Sequence, residues 1–300
     1  MSPTGVLALS YGTPASRGEV ADYYTRIRHG RAPSDGQLAD LVRRYDAIGG
    51  LSPLNERTAD QVTGLAAVLE RRDPGGYVVH GATKYASPSI EAQVDLLVAE
   101  GVAPVVGLVL APLSAPMSTG QYHDRAVAAL DGRADYLGVW SWWDAPGFSG
   151  LLAGRVREAI DAVGDEHALV VFSAHSLPAR VVAEGSDYPD QLARAAERIA
   201  TDAGIDDHLV CWQSAGRTAD EWLGPDLLEV IRALDASVRT IVVCPVGFVA
   251  DHLEVLYDVD IEARAVAEQR GITLRRTASL NDDPAFLEIL ADVVERAVEP

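Results

Sequence analysis

Three carboxylates recur at four-residue intervals in the stretch PVGFVADHLEVLYDVDIE (245–262): Glu254, Asp258 and Glu262, with His252 just upstream. On a helix this spacing places them on one face, where like charges at i,i+4 cost roughly 0.2–0.5 kcal/mol per pair unless a cation offsets them. A solvated helix face is the ordinary use of such a run. Positions four apart drift by about 40° per step on a 3.6-residue helix, and a local π-type widening would bring them into line. Hard carboxylate oxygens attract divalent cations, often through retained water. A second chemical group is His175 in VVFSAHSLP, which follows an apolar run and sits in a turn bracketed by Ser and Pro. Imidazole titrates near neutrality, so it can accept protons or bind a metal. With the carboxylates, His175 or His252 makes a mixed N/O set suited to a transition metal.

The elements that would position these groups are short. Eight β-like runs rich in Val, Leu and Ile fall at 6–11, 77–84, 105–111, 135–141, 168–173, 208–213, 240–246 and 272–277. Helical patterns separate them, among them 89–100, 148–163, 190–203, 225–234, 255–269 and 283–298. Strands alternating with helices predict an α/β fold of mostly parallel sheets covered on both faces. The rhythm repeats after four strands, so two Rossmann-like domains, each a four-stranded parallel sheet flanked by helices, are expected with a cleft between them. We expect the first over 1–146, with a long insert at 12–76, and the second over 147–300; the last helix could pack on either. Ligands of open α/β sheets bind outside the carboxyl ends of strands. That rule places Tyr11 (LALSYGTP) on one wall and His175 with the acidic helix on the other.

The insert carries Arg28, Arg31, Arg43 and Arg44, basic residues in a chain of net charge -19. Surface salt bridging is the common use of arginine; guanidinium clamping of a ligand's carboxylates is the functional alternative. Gly49-Gly50 and Ser52-Pro53 supply a turn that brings backbone groups and a hydroxyl near such a ligand. Lys84 is the only lysine beside 24 arginines, which reflects either a coding bias or a position that requires an ammonium. Trp222 reads as packing under a loop. The acidic balance argues against a nucleic-acid partner. No apolar run of about 18 residues predicts a membrane span, and no signal peptide is read at the N-terminus. Cys211 and Cys244 fall in apolar runs and read as buried thiols of a reducing, cytoplasmic compartment. GxGxxG, GxSxG and HExxH are absent.

Seven blocks carry a family resemblance: SYGTP (10–14), YYTRIRHGR (23–31), RYDAIGGLSPL (44–54), FSAHSLP (172–178), DYPDQL (187–192), WQSAGRTADEWLGP (212–225) and PVGFVADHLEVLYDVDIEA (245–263). In these the chain resembles the ferrochelatases, and most closely their soluble bacterial coproporphyrin branch. The resemblance implies insertion of Fe(II) into a propionate-bearing porphyrin, coproporphyrin III to coproheme, in haem biosynthesis with release of two protons. It implies that His175 and Glu254 are the catalytic pair and receive the metal, and that Asp258 and Glu262 are outer carboxylates holding a hydrated divalent ion. Tyr11 would face the opposite side of the macrocycle and ligate iron in the product; Arg28, Arg44, Tyr45, Ser52 and Tyr122 would contact the propionates. Iron is then a substrate and no prosthetic group is expected. Some relatives hold an iron–sulfur cluster on four cysteines, which two cannot supply. Close relatives often carry His where this chain has Tyr85 and Leu113. The implied partners are porphyrin and ferrous iron, with transient contact to downstream haem-pathway enzymes, no nucleic acid and no membrane, and the chain is expected to be a monomer. The alternatives are insertion into protoporphyrin IX, a cobalt chelatase, or a tetrapyrrole-binding protein without chemistry. A two-Rossmann glycosyltransferase should carry a nucleotide-phosphate loop, and none is seen.

Overall fold

The computed structural model describes residues 2–216 and 218–299; Met1, Pro300 and Arg217, the last within the 212–225 block, lie outside it. Eight strands appear where the apolar runs predict them: β1 (Thr4–Ser10), β2 (Tyr77–Thr83), β3 (Val105–Val109), β4 (Tyr136–Val139), β5 (Leu169–His175), β6 (His208–Gln213), β7 (Thr240–Pro245) and β8 (Thr273–Arg276). They form two four-stranded sheets, ordered β2-β1-β3-β4 and β6-β5-β7-β8. All pairings are parallel, with Val6 opposite Val79 and Val106, and Phe172 opposite Val210 and Cys244. The two orders are the same topology used twice, the two Rossmann-like halves expected. Strands covered on both faces read as unbroken apolar runs because neither face meets water; Val170, Val171 and Phe172 of β5 are fully buried.

In each half the chain first steps from the starting strand to one side and then crosses to the other. The carboxyl ends of β1 and β3, and of β5 and β7, are therefore the crevices where ligands bind. Tyr11 follows β1, His175 ends β5, and the acidic helix follows β7.

Within the stretch 12–76, helices Val20–Ile27 and Asp35–Ala47 stand outside the sheet layers. Helix Leu54–Arg72 instead packs on β2 and on the last helix, Pro284–Val298, so it is the ordinary crossover of the first βαβ unit. The added material proper is thus 12–53. Helix Pro284–Val298 packs on Leu54–Arg72, on Phe148–Val163 and on β3 and β4. It belongs spatially to the first sheet, although it follows the second in sequence. Its Phe286 and Leu290 join Val6 and Val106 of the first sheet and Phe172 and Val242 of the second in one continuous apolar cluster. Burying each such side chain contributes roughly 1.5–3 kcal/mol, which outweighs the exposed ion pairs of Arg72 with Glu288, Asp292 and Glu295 on the same helices. Among the described residues no helix is long and apolar enough to cross a membrane.

Candidate active site

His175 is the last residue of β5 and opens into the cleft. Its Nδ1–H donates to the Ser176 carbonyl, an acceptor only, and this fixes Nε2 as the nitrogen that gains or loses a proton. Nε2 lies 3.6 Å from Glu254 Oε1. The backbone beneath is held by Tyr188, whose hydroxyl donates to the His175 carbonyl at 3.0 Å. Gly247 approaches so closely that a Cβ there would lie 2.8 Å from the Cβ of Ala174. Any side chain at 247 would therefore push the β7 loop away from the β5 tip.

Glu254 lies in the first turn of helix Leu253–Leu256. Its backbone is pinned from the neighbouring strands: Ser173 Oγ donates to Gln213 Oε1 at 2.7 Å, and Gln213 Nε2 donates to the Glu254 carbonyl at 3.0 Å. The second carboxylate oxygen faces His252 Nε2 at 3.6 Å, while His252 Nδ1 donates to the Ala250 carbonyl at 2.8 Å. Burial alone would raise the Glu254 pKa, yet the charges and hydrogen bonds of His175 and His252 hold it far below the usual carboxylate range. For His175 burial acts downward, but Glu254, the Ser176 carbonyl and Asp258 outweigh it, and the net shift is upward. The two directions agree: each group favours the charged form of the other.

Past Tyr257 the helix widens into a π-turn, Asp258–Ala263, in which the Glu262 N–H reaches the Tyr257 carbonyl at 2.9 Å. This is the widening that the four-residue spacing called for. It turns Asp258 and Glu262 onto one cavity of about 220 Å³, lined also by Arg44, Gln213, Ser214 and Asp226. Asp258 is 7% exposed and accepts from Ser214 Oγ at 2.5 Å and from Arg44 at 3.2 Å. Burial first, then repulsion from Glu254, raises its pKa to about 6 against the opposing pull of Ser214 and Arg44. Asp226 is a third carboxylate here, also raised by burial and by Glu229 and Glu262. Its sequence signal, Asp followed three residues on by Glu, is that of a capping box, which it forms on helix Leu227–Ala233. Among the described residues no three His, Cys, Asp or Glu side chains close on one point. Glu254 sits beside His175, whereas Asp226, Asp258 and Glu262 line the cavity.

The opposite wall is aromatic. Tyr11 is 40% exposed and meets Tyr85 edge-on at 4.9 Å. The surrounding protein mass and then Glu254, Tyr122, Tyr85 and Tyr45 push its pKa well up, so the phenol stays protonated. Its turn needs Gly12, at φ +79°, where a Cβ would strike Thr83 at 2.8 Å. The insert closes the third side. Ser52 Oγ accepts the Leu253 N–H at 3.2 Å, Arg43 donates to the Tyr257 hydroxyl at 2.7 Å, and Arg44 lies over the Tyr257 ring at 4.9 Å. Tyr45 shares a 3.3 Å hydrogen bond with Thr13 beside Tyr11. Tyr11, Tyr45 and Tyr122 thus lie within electrostatic reach of Glu254, Ser52 holds the amide of the residue before it, and Arg44 meets Asp258 one turn further on. Arg28 is bonded within the insert, to the Arg31 carbonyl at 3.3 Å and over the Tyr24 ring at 5.7 Å.

A ferrochelatase family model matches residues 3–298. The chain belongs to the ferrochelatase family. The coproporphyrin III ferrochelatase of Geobacillus thermodenitrificans is 42% identical over 299 residues, covering 97% of this chain and 94% of that protein. A protein named ferrochelatase in Herpetosiphon aurantiacus is 41% identical over 298 residues, covering 97% and 98%. Among solved structures, SirB from Bacillus subtilis with Fe3+ shares the fold at TM-score 0.59 and 13% identity, covering 98% of this chain and 95% of that one.

The two positions at which the resemblance raised the question of a histidine, 85 and 113, do different work here. Leu113, 3% exposed, belongs to the apolar core, and Tyr85 buttresses Tyr11. Neither offers a nitrogen to iron.

Proposed function

We propose that this ferrochelatase inserts Fe(II) into coproporphyrin III, with iron entering as substrate and two protons leaving. The observation that carries the mechanism is the His175–Glu254 pair at the β5 tip, facing protonated Tyr11 across the cleft. In a free porphyrin two N–H groups point into the ring, and iron can form four Fe–N bonds only as both protons depart. Neutral His175 takes the first pyrrole proton on Nε2, Glu254 stabilises the imidazolium that results, and once that proton has passed to solvent the neutral imidazole takes the second. Further carboxylates lead the cation in and the proton out. Tyr11, a neutral phenol, caps the far face without competing as a base. Substrate carboxylates suit the donors of Arg28, Arg44, Tyr45, Ser52 and Tyr122. Side-by-side turnover of coproporphyrin III and protoporphyrin IX under anaerobic Fe(II) tests the reading. We expect kcat/KM to favour coproporphyrin III by tenfold or more on the order-of-magnitude scale of lost charged contacts. Equal turnover would move the substrate assignment, and a Soret shift without metal insertion would leave only a binding protein.

We further propose that Asp258 and Glu262 hold a hydrated divalent ion before hand-over, helped by a net charge of -19 that concentrates cations at the surface. Because the Asp258 pKa lies at about 6, cation affinity there rises as pH climbs through that value and the competing proton is lost. Asp258→Asn should raise KM for Fe(II) by about 10–100-fold, flatten this pH dependence, and leave porphyrin KM nearly unchanged. An unaltered KM for iron would remove Asp258 from the route.

A further inference from the structure

Lys84, the only lysine in the chain, follows β2 at the edge of the cleft. It is 9% exposed, yet among the described residues no carboxylate pairs with it. Its ammonium lies 4.8 Å from the centre of the Tyr122 ring and 5.3 Å from that of Tyr85. Its single hydrogen bond among the described residues is a long one, 3.5 Å, to the Ser118 carbonyl. The charged group that acts on it is Arg125, which is like-charged and already satisfied. Arg125 grips both oxygens of Glu91 at 2.9 Å and donates to the Lys84 backbone carbonyl. Burial and then Arg125 push the Lys84 pKa down to about 8. A buried cation with spare N–H groups and no counter-charge is costly to the free protein. Tyr122 beside it is equally incomplete. Its ring is buried, its pKa is pushed far up by burial, Tyr85 and Glu254, and its hydroxyl has no hydrogen-bond partner among the described residues. A protonated phenol and an ammonium therefore sit side by side at the cleft, both donors; among the described residues the phenol has no acceptor and the ammonium has only the long contact to the Ser118 carbonyl.

We propose that Lys84 completes the carboxylate subsite already read at Tyr122, its ammonium supplying the charge while the Tyr122 hydroxyl supplies the direction. This rests on the reading of the substrate as a polycarboxylate porphyrin. The ammonium's unpaired charge makes the contact selective: a carboxylate neutralises it in a site already shielded from water, whereas an ester or vinyl group leaves it stranded. Lys84 is in this sense a specificity-determining residue, distinct from the base His175.

The experiment compares wild type with Lys84→Met, Lys84→Arg and Tyr122→Phe. It measures fluorescence-quenching Kd for metal-free coproporphyrin III and for its tetramethyl ester in mild detergent, and the Tm of each free protein. Lys84→Met should weaken coproporphyrin III binding roughly 10- to 100-fold, the scale of a charge-assisted hydrogen bond. It should leave ester binding unchanged and should not lower the Tm, since it removes an uncompensated buried charge. Lys84→Arg should retain part of the affinity, and Tyr122→Phe combined with Lys84→Met should cost less than the two losses multiplied. A lower Tm in Lys84→Met, equal weakening for acid and ester, or a Kd within twofold of wild type each overturns the proposal. If Lys84→Met does not fold, Lys84 is structural and the proposal falls with it. Failure of the wild type itself to bind coproporphyrin III, as opposed to failure of the variants to differ, strikes the functional reading instead and takes this proposal with it.

Discussion

His175→Ala abolishes iron insertion, lowering kcat by at least about 10²–10⁴-fold, the range expected for loss of a general base, while coproporphyrin III still binds with Kd within about threefold. The reason is that no neighbour can substitute. Removing His175 takes away the main influence that depresses the Glu254 pKa, but His252 still pairs with that carboxylate and Glu254 then lacks the His175 imidazole to receive its proton. Tyr11 and Tyr122 are held protonated and cannot act as bases near neutral pH. His252 Nε2 points at the same Glu254 carboxylate as His175, from the other oxygen. The His175 side chain is 32% exposed, so its loss leaves a solvent-filled gap rather than a collapsed core. Metalloporphyrin absorbance reports turnover, and quenching of porphyrin fluorescence reports binding. Turnover within tenfold of wild type would remove His175 from the chemistry.

Glu254→Gln carries the second large effect, with a direction in pH that a merely structural role would not produce. In the wild type Glu254 is the main influence lifting the His175 pKa against burial. The base-competent neutral imidazole accumulates only as pH rises through that elevated pKa, so kcat/KM climbs on its acid limb there. Glutamine keeps the shape and removes the charge, so burial regains the upper hand and the His175 pKa falls. The acid limb then moves to lower pH. At the plateau the rate drops by about 10²–10³-fold, because the imidazolium formed by proton capture, and the incoming cation, both lose their carboxylate. A pH profile of kcat/KM for both proteins decides it. An acid limb that stays in place in the variant would show that Glu254 does not set the His175 titration.

Much of this was legible in the sequence for identifiable physical reasons. The central strands β1, β3, β5 and β7 are buried on both faces and read as apolar runs because neither face needs polar residues, while the partly exposed edge strands were found from the alternation of runs and helices. The π-turn at Asp258–Ala263 was foreshadowed by carboxylates spaced by four, which no straight helix aligns. What stayed hidden depends on contacts without local signal. Arg43 and Arg44 meet Tyr257 and Asp258 across 214 positions of chain, and nothing within the insert marks those partners. His252 pairs with Glu254 although residues two apart do not face each other on a helix. It does so because His252 caps the helix in extended backbone, at φ −158°, ψ 179°. Asp226 was masked by its cap signature. Lys84 stood out only by its count, and its isolation from any carboxylate required the fold.

The apolar cluster that runs through both sheets and helix Pro284–Val298 has a mechanical consequence. Swinging one half away from the other would tear close-packed side chains apart, and such interiors are stiff. Residues 12–53 meet the second half through polar links instead: Ser52 to the Leu253 amide, Arg43 to Tyr257 and Arg44 to Asp258. Links of this kind exchange readily with water. The scaffold is thus a fixed anvil, and any widening that admits a flat macrocycle or releases a metallated one falls to the insert, which lifts by trading three polar contacts for solvent.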